Sequence, residues 1–173
     1  MNSFNIIEKH FFNEDVLNVA PNLLGKILVR KFEDGTELKF RITEVEAYRG
    51  EDDLACHASK GRTARTETMY MEAGTIYVYL IYGMYWMLNI VTAAKDIPQA
   101  ILIRGIEGIC GPGKLTKKLQ IDNSFNKQNI FTNGQLYIED DGFSPDFETK
   151  IRIGVDYAGE IWKNKPWRFV VKK

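Results

Sequence analysis

The chain has 173 residues, 45% apolar and 27% charged, with 23 basic against 23 acidic residues and a formal net charge of zero. That length fits one domain able to bury a substantial core without staples, and the composition excludes a disordered or disulfide-framework chain. Zero net charge argues against a protein that grips nucleic acid by bulk electrostatics, although the basic residues segregate into Lys60/Arg62/Arg65, Lys114/Lys117/Lys118 and Lys163/Lys165/Arg168.

The first ten residues, Met1 to His10, have no basic segment leading into an apolar run, so no secretory signal is expected. The two cysteines, Cys56 and Cys110, form no metal-spaced pair, which suits a reducing, intracellular setting. Asn13 reads as a helix cap followed by Glu14 and Asp15 in the first turn, and the short helix then runs into a loop by Pro21. Residues 26–32 and 37–48 read as strands, and Asp34-Gly35 between them signals a hairpin.

The second of these strands ends Thr43-Glu-Val-Glu-Ala-Tyr48. The two-residue repeat puts Glu44, Glu46 and Tyr48 on one face, too polar for a dry core, so that face is expected to meet solvent, basic partners or a substrate. One reading makes it an exposed face paired with Lys39 and Arg41. Residues 49–66 are polar and form a long loop, a common place for function.

From Ala73 to Ala94 the chain is free of charge and about as long as a membrane span. Tyr77, Tyr79, Tyr82, Tyr85, Gly83 and Asn89 argue instead for two strands, 75–81 and 86–92, joined by a tight loop in which Gly83 supplies a positive φ. Tyrosines and a methionine are unusual turn residues. Either the tip is buried against another element or it is an aromatic wedge for something flat and apolar, such as a base step. Tyr77 and Tyr79 share one strand face, where a phenol would line a pocket.

Residues 99–105 read as a further strand, and Gly111-Pro-Gly-Lys114 as a loop entering an amphipathic helix with Leu115 and Leu119 on one face. Amides at that helix start, with Lys114, would suit a phosphate. Residues 135–139, 150–154 and 166–171 read as short strands. Together these predict a single α+β domain over 1–173: a mostly antiparallel curved β-sheet or open barrel, with peripheral short helices and a protruding β-hairpin.

Only His10 and His57 are present, so a multi-histidine metal site is impossible, while a carboxylate Mg²⁺ site from Glu44, Glu46, Glu51, Asp52 or Asp53 remains conceivable. No nucleophile elbow or Rossmann fingerprint occurs. A carboxylate activating water, with aromatic side chains holding a planar substrate, is what remains. Glu44 and Glu46, about 6–7 Å apart on a strand, also fit an inverting glycoside hydrolase acting on carbohydrate. A catalytically silent nucleic-acid-binding module is a third reading.

Thr43-Glu-Val-Glu-Ala-Tyr48, His57, Gly61-Arg62, the run from Met69 to Asn89, Ile101-Leu-Ile-Arg104, Arg152-Ile-Gly-Val155 and Lys165-Pro-Trp-Arg-Phe169 resemble the alkyladenine (methylpurine) DNA glycosylases. The resemblance implies a base-excision-repair enzyme that flips damaged purines (3-methyladenine, 7-methylguanine, hypoxanthine, etheno-adducts) from double-stranded DNA and hydrolyses the N-glycosidic bond. It implies Glu46 as general base, with Arg104 beside it. Tyr48 and His57 would stack on one face of the purine and Tyr79 on the other, with Asn89 at the pocket floor. Tyr82 would intercalate, and Arg62, Arg65, Met84 and Lys114 would contact DNA. No cofactor, metal, membrane or obligate protein partner is implied, and the expected setting is a monomer in the cytoplasm or nucleoid. One geometric demand follows. For Tyr79 and Asn89 to share the pocket face, the hairpin loop must have odd length or a bulge, because a two-residue turn would pair Tyr79 with Leu88.

Overall fold

In the computed structural model, which describes residues 5–172, alternating apolar side chains assemble a ten-stranded sheet in which every strand pairing is antiparallel. The reading of the first residues as lacking a leader falls partly on Met1 to Phe4, which lie outside the described residues. The strands are β1 (Asn5–Ile6), β2 (Ile27–Lys31), β3 (Glu37–Arg49), β4 (Ile76–Ile81), β5 (Tyr85–Thr92), β6 (Gln99–Ile106), β7 (Ile109–Cys110), β8 (Leu136–Asp140), β9 (Phe147–Lys150) and β10 (Arg168–Val171). Four short helices flank them: α1 (Lys9–Phe12), α2 (Val16–Leu23), α3 (Pro112–Lys118) and α4 (Gly159–Lys163). The expected α+β class, with its open antiparallel sheet, is what the chain adopts.

β3 organises the sheet because its 13 residues are long enough to serve different neighbours along its length. Its first part pairs with β2 through Glu37 to Arg41, while its second part pairs with β10 through Glu44 to Glu46 on one edge and with β6 on the other. The main path runs β1-β8-β2-β3-β6-β5-β4, and β10 with β9 branches from β3. The β3/β6 register shifts on both sides of Glu44. Such a bulge re-aims a side chain and sharpens local twist, and here it falls on one of the two candidate carboxylates. Gly105 faces it, and a Cβ there would sit 3.1 Å from the Glu44 Cβ.

The core is packed by Phe12, Leu23, Leu28, Ile42, Leu88 and Ile103, all fully buried, with Leu115 and Leu119 bringing α3 onto the sheet as their four-residue spacing predicted. Three local expectations are corrected. The cap of α2 is Asp15, whose carboxylate accepts from Leu17 N at 3.0 Å, while Asn13 ends α1. The helix continues through Pro21 to Leu23, since the proline φ is already helical and only one ladder bond is lost. The strand read at 150–154 lies earlier, at β9, because Arg152 leaves the sheet to bury its guanidinium. The charge-free stretch forms the β4/β5 hairpin, and among the described residues no helix is long and apolar enough to cross a membrane.

Candidate active site

The second half of β3 carries the chemistry. Glu46 is fully buried, its Oε1 accepting from Ile153 N at 2.7 Å and its Oε2 from the Tyr48 hydroxyl at 2.7 Å, with Arg104 Nε 3.5 Å from Oε1. Burial pushes its pKa up, and the nearby Arg104, the Ile153 amide, the Tyr48 hydroxyl and Arg152 pull against that shift. A buried carboxyl that faces cations and is held by two hydrogen-bond donors is suited to general-base work. Tyr48 is pushed well above the usual phenol range, by burial first and then by the Glu46 charge, so it stays protonated and donates.

Glu44 has different partners. Arg168 Nη1 reaches its Oε1 at 3.1 Å and Arg104 Nε at 3.3 Å, so Arg104 spans both carboxylates. The exposed-face reading is corrected here: Glu44 and Glu46 are buried, Lys39 binds Glu139, and Arg41 forks onto Asp141. The Mg²⁺ alternative fares no better. Glu44 is held by arginines, Asp53 by Arg152 and Glu51 by the Tyr70 hydroxyl, and the described residues contain no group of three such side chains arranged for a metal.

Next to this carboxylate lies an aromatic cluster from β4 and the 57–60 turn, with Tyr48 packed against it. His57 Nδ1 is 3.0 Å from the Tyr77 hydroxyl, and the His57 ring meets the Tyr79 ring edge to face at a centroid distance of 4.6 Å. Tyr77 and Tyr79 are 5.2 Å apart, and the Arg65 guanidinium lies 5.9 Å from the Tyr79 centroid. Burial, with Arg65 and Lys60 adding to it, pushes the His57 pKa down to about 4, so its ring is neutral at physiological pH. Its folded value is below the free-histidine value of 6.5, so the stability it contributes is complete above about pH 6.5 and lost as pH falls toward 4. An NMR titration of His57 should give a midpoint near 4; a midpoint near 6.5 would contradict the buried neutral ring.

The hairpin meets the geometric demand. Ile81 pairs with Tyr85, so the loop is three residues long, and the register sets Tyr79 opposite Met87 and Tyr77 opposite Asn89. Tyr79 and Asn89 thus share a face, and Asn89 is buried with Nδ2 donating to Tyr77 O at 3.1 Å. Met84 N closes the turn on Ile81 O at 3.2 Å, with Tyr82 at φ 53° and Gly83 at φ 67°. A left-handed tyrosine costs about 1–2 kcal/mol, borne by the side chain that stands furthest out. Tyr82 is 82% exposed and Met84 64% exposed, which removes the buried-tip reading. Behind the tip, the Tyr85 ring lies against Gly113, where a Cβ would meet it at 2.7 Å. Lys114 is exposed in the same short helix α3.

Of the sequence-derived candidates, the fold brings together Glu46, Arg104, Tyr48, His57, Tyr79, Asn89 and Arg65. Arg62 is committed elsewhere. It forks onto Glu67 at 2.7 and 2.8 Å, reaches Asp96 at 2.8 Å, and stacks over Tyr70. Sequence reasoning missed Tyr77 as the partner of His57, Arg168 on Glu44, and the Asp53/Arg152 pair beside Ile153. Asp53 was visible only as a metal candidate, and the alternation Lys150-Ile-Arg-Ile153 mimicked a strand.

Residues 10–110 and 108–173 match the family model described as methylpurine-DNA glycosylase. The chain is similar to three curated relatives, each named "Putative 3-methyladenine DNA glycosylase". That of Borreliella burgdorferi (strain ZS7) is 45% identical over 180 residues, covering 96% of each chain. That of Legionella pneumophila (strain Paris) is 47% identical over 172 residues, covering 94% of this chain and 92% of the relative. That of Methanocella arvoryzae is 42% identical over 187 residues, covering 96% and 92%.

Proposed function

The chain belongs to the methylpurine-DNA glycosylase family, and from that membership we propose that it flips alkylated purines out of duplex DNA and hydrolyses their N-glycosidic bond with a water activated by Glu46. The observation that carries this reading is a fully buried carboxylate, hydrogen-bonded by Tyr48, beside an aromatic cluster on a hairpin whose tip is an exposed tyrosine.

In this mechanism Glu46 takes a proton from water as the water oxygen bonds to C1′ of the sugar. The bonding pair of the C1′–N bond leaves with the purine. Arg104, in reach of Glu46 and Glu44, opposes the upward push that burial exerts on the base. Extruding a base costs a few kcal/mol, and stacking on aromatic rings returns about 1–3 kcal/mol per base. Tyr48, His57 and Tyr79 supply that stack and Tyr82 fills the vacated step. A base held between two rings needs them about 7 Å apart, twice the stacking rise. His57 and Tyr79 are 4.6 Å apart, so binding parts them.

The neutral His57 ring places no cation against a positively charged purine, and the phenols favour one through their π faces. Cationic 3-methyladenine leaves as a neutral base, whereas neutral hypoxanthine needs protonation as it departs. Single-turnover release from matched duplexes should therefore be faster for 3-methyladenine than for hypoxanthine. The opposite order would contradict this account of the pocket.

A further inference from the structure

One buried ion pair reaches both halves of the site, and nothing in the proposed chemistry uses it. Arg152 Nη1 and Nη2 fork onto Asp53 at 2.6 and 2.9 Å, with both side chains fully buried. The same two nitrogens donate to Ala47 O at 3.0 Å, on β3 next to Glu46, and to Trp162 O at 3.1 Å. The guanidinium is also flanked by the Tyr48 and Trp167 rings, at 4.9 and 5.1 Å. Asp53 in turn accepts from Arg49 N and Ala55 N, both at 3.1 Å, and so fixes the stretch that leads into His57.

Such a pair is a poor device for stability. Desolvating two charges cancels most of their attraction, and apolar replacements of similar size are often as stable. Arg152 Nε is moreover buried without a partner, a cost left standing. What an apolar pair would lack is direction. The residue after Arg152 is Ile153, whose N–H holds Glu46 Oε1 at 2.7 Å, so whatever fixes the Arg152 backbone fixes the base.

Resting on the glycosylase reading, we infer that Arg152, locked by Asp53, is the positioning residue for Glu46: the pair sets the Ile153 amide against the carboxylate and ties that geometry to the segment carrying His57. The charge of Arg152 also faces Glu46, where with Arg104, the Ile153 amide and Tyr48 it opposes the upward push of burial.

The test uses the double variant Arg152→Met with Asp53→Leu, which leaves no unpaired buried charge, and the single variant Arg152→Lys, which keeps the charge but not the fork. Melting, binding to an abasic-site duplex, single-turnover release of 3-methyladenine and the ¹³C titration of the Glu46 carboxyl are measured for each. The double variant is expected to melt below the wild type, because the Arg49 and Ala55 amides and the Ala47 and Trp162 carbonyls lose these partners, and to bind abasic DNA equally well. Its excision should be slower by about 100-fold, the scale of a misplacement near 1 Å, and its Glu46 should titrate at higher pH. Arg152→Lys should titrate like the wild type yet excise about tenfold more slowly or worse, and it decides the matter if the double variant does not fold. Unchanged excision, or an unshifted Glu46 titration in the double variant, overturns the inference. If the wild type itself releases no base, the glycosylase reading falls on that arm alone, and the Glu46 titration still decides the positioning.

Discussion

Replacing Glu46 by Gln is expected to leave the fold and the binding of damaged duplex intact while cutting single-turnover excision by about 10²–10⁴-fold, the range a positioned general base supplies. Glutamine has the same shape, so its oxygen still accepts from the Ile153 amide, and Tyr48 need only turn its hydroxyl. What disappears is the capacity to take a proton from water. The variant also has a stability signature with a definite sign. The folded pKa of Glu46 lies above its unfolded value of 4.5, so ionising this buried carboxyl costs stability once pH rises through the folded pKa. At pH 7 the variant should therefore melt at or above the wild-type temperature, and the gain should fade as pH falls. A variant that excises normally removes Glu46 from the mechanism.

The second large effect is expected at the hairpin tip. Tyr82→Ala should leave melting almost unchanged, because the ring is 82% exposed and its removal leaves no cavity. It should weaken binding to an abasic-site duplex by about 10- to 100-fold, since stacking of an aromatic side chain on a base contributes about 1–3 kcal/mol. A base analogue at the target position should report less of the extruded state. A large fall in melting temperature with unchanged affinity for abasic DNA would make the tip structural and weaken the base-flipping account.

The β4/β5 hairpin was legible because strand alternation and turn length are local properties. A pocket face shared by Tyr79 and Asn89 demanded an odd loop or a bulge, and the chain has a three-residue loop, 82–84. The pairing of Glu46 with Tyr48 was legible for the same reason, being two residues apart on one strand. The surroundings of Glu44 were not. The bulge beside it and the arrival of Arg168 from the far end of the chain depend on how β10 docks on β3. Asp53 and Arg152 are 99 residues apart, and no local pattern ties them. Alternation even misled there, reading residues 150–154 as a strand when Arg152 is drawn inward to a buried carboxylate. Pro21 is a smaller instance, where packing of α2 on the sheet overrides a breaker signal.

The central claim is hydrolytic removal of an alkylated purine by a carboxylate-activated water. It is tested most directly by incubating the wild-type protein with a duplex carrying 3-methyladenine, with and without borohydride, and separating free base from DNA. The expected result is free 3-methyladenine with an uncleaved abasic strand and no borohydride-trapped protein–DNA adduct. Failure to release the base, or a trapped covalent adduct showing attack by a protein amine, would contradict it.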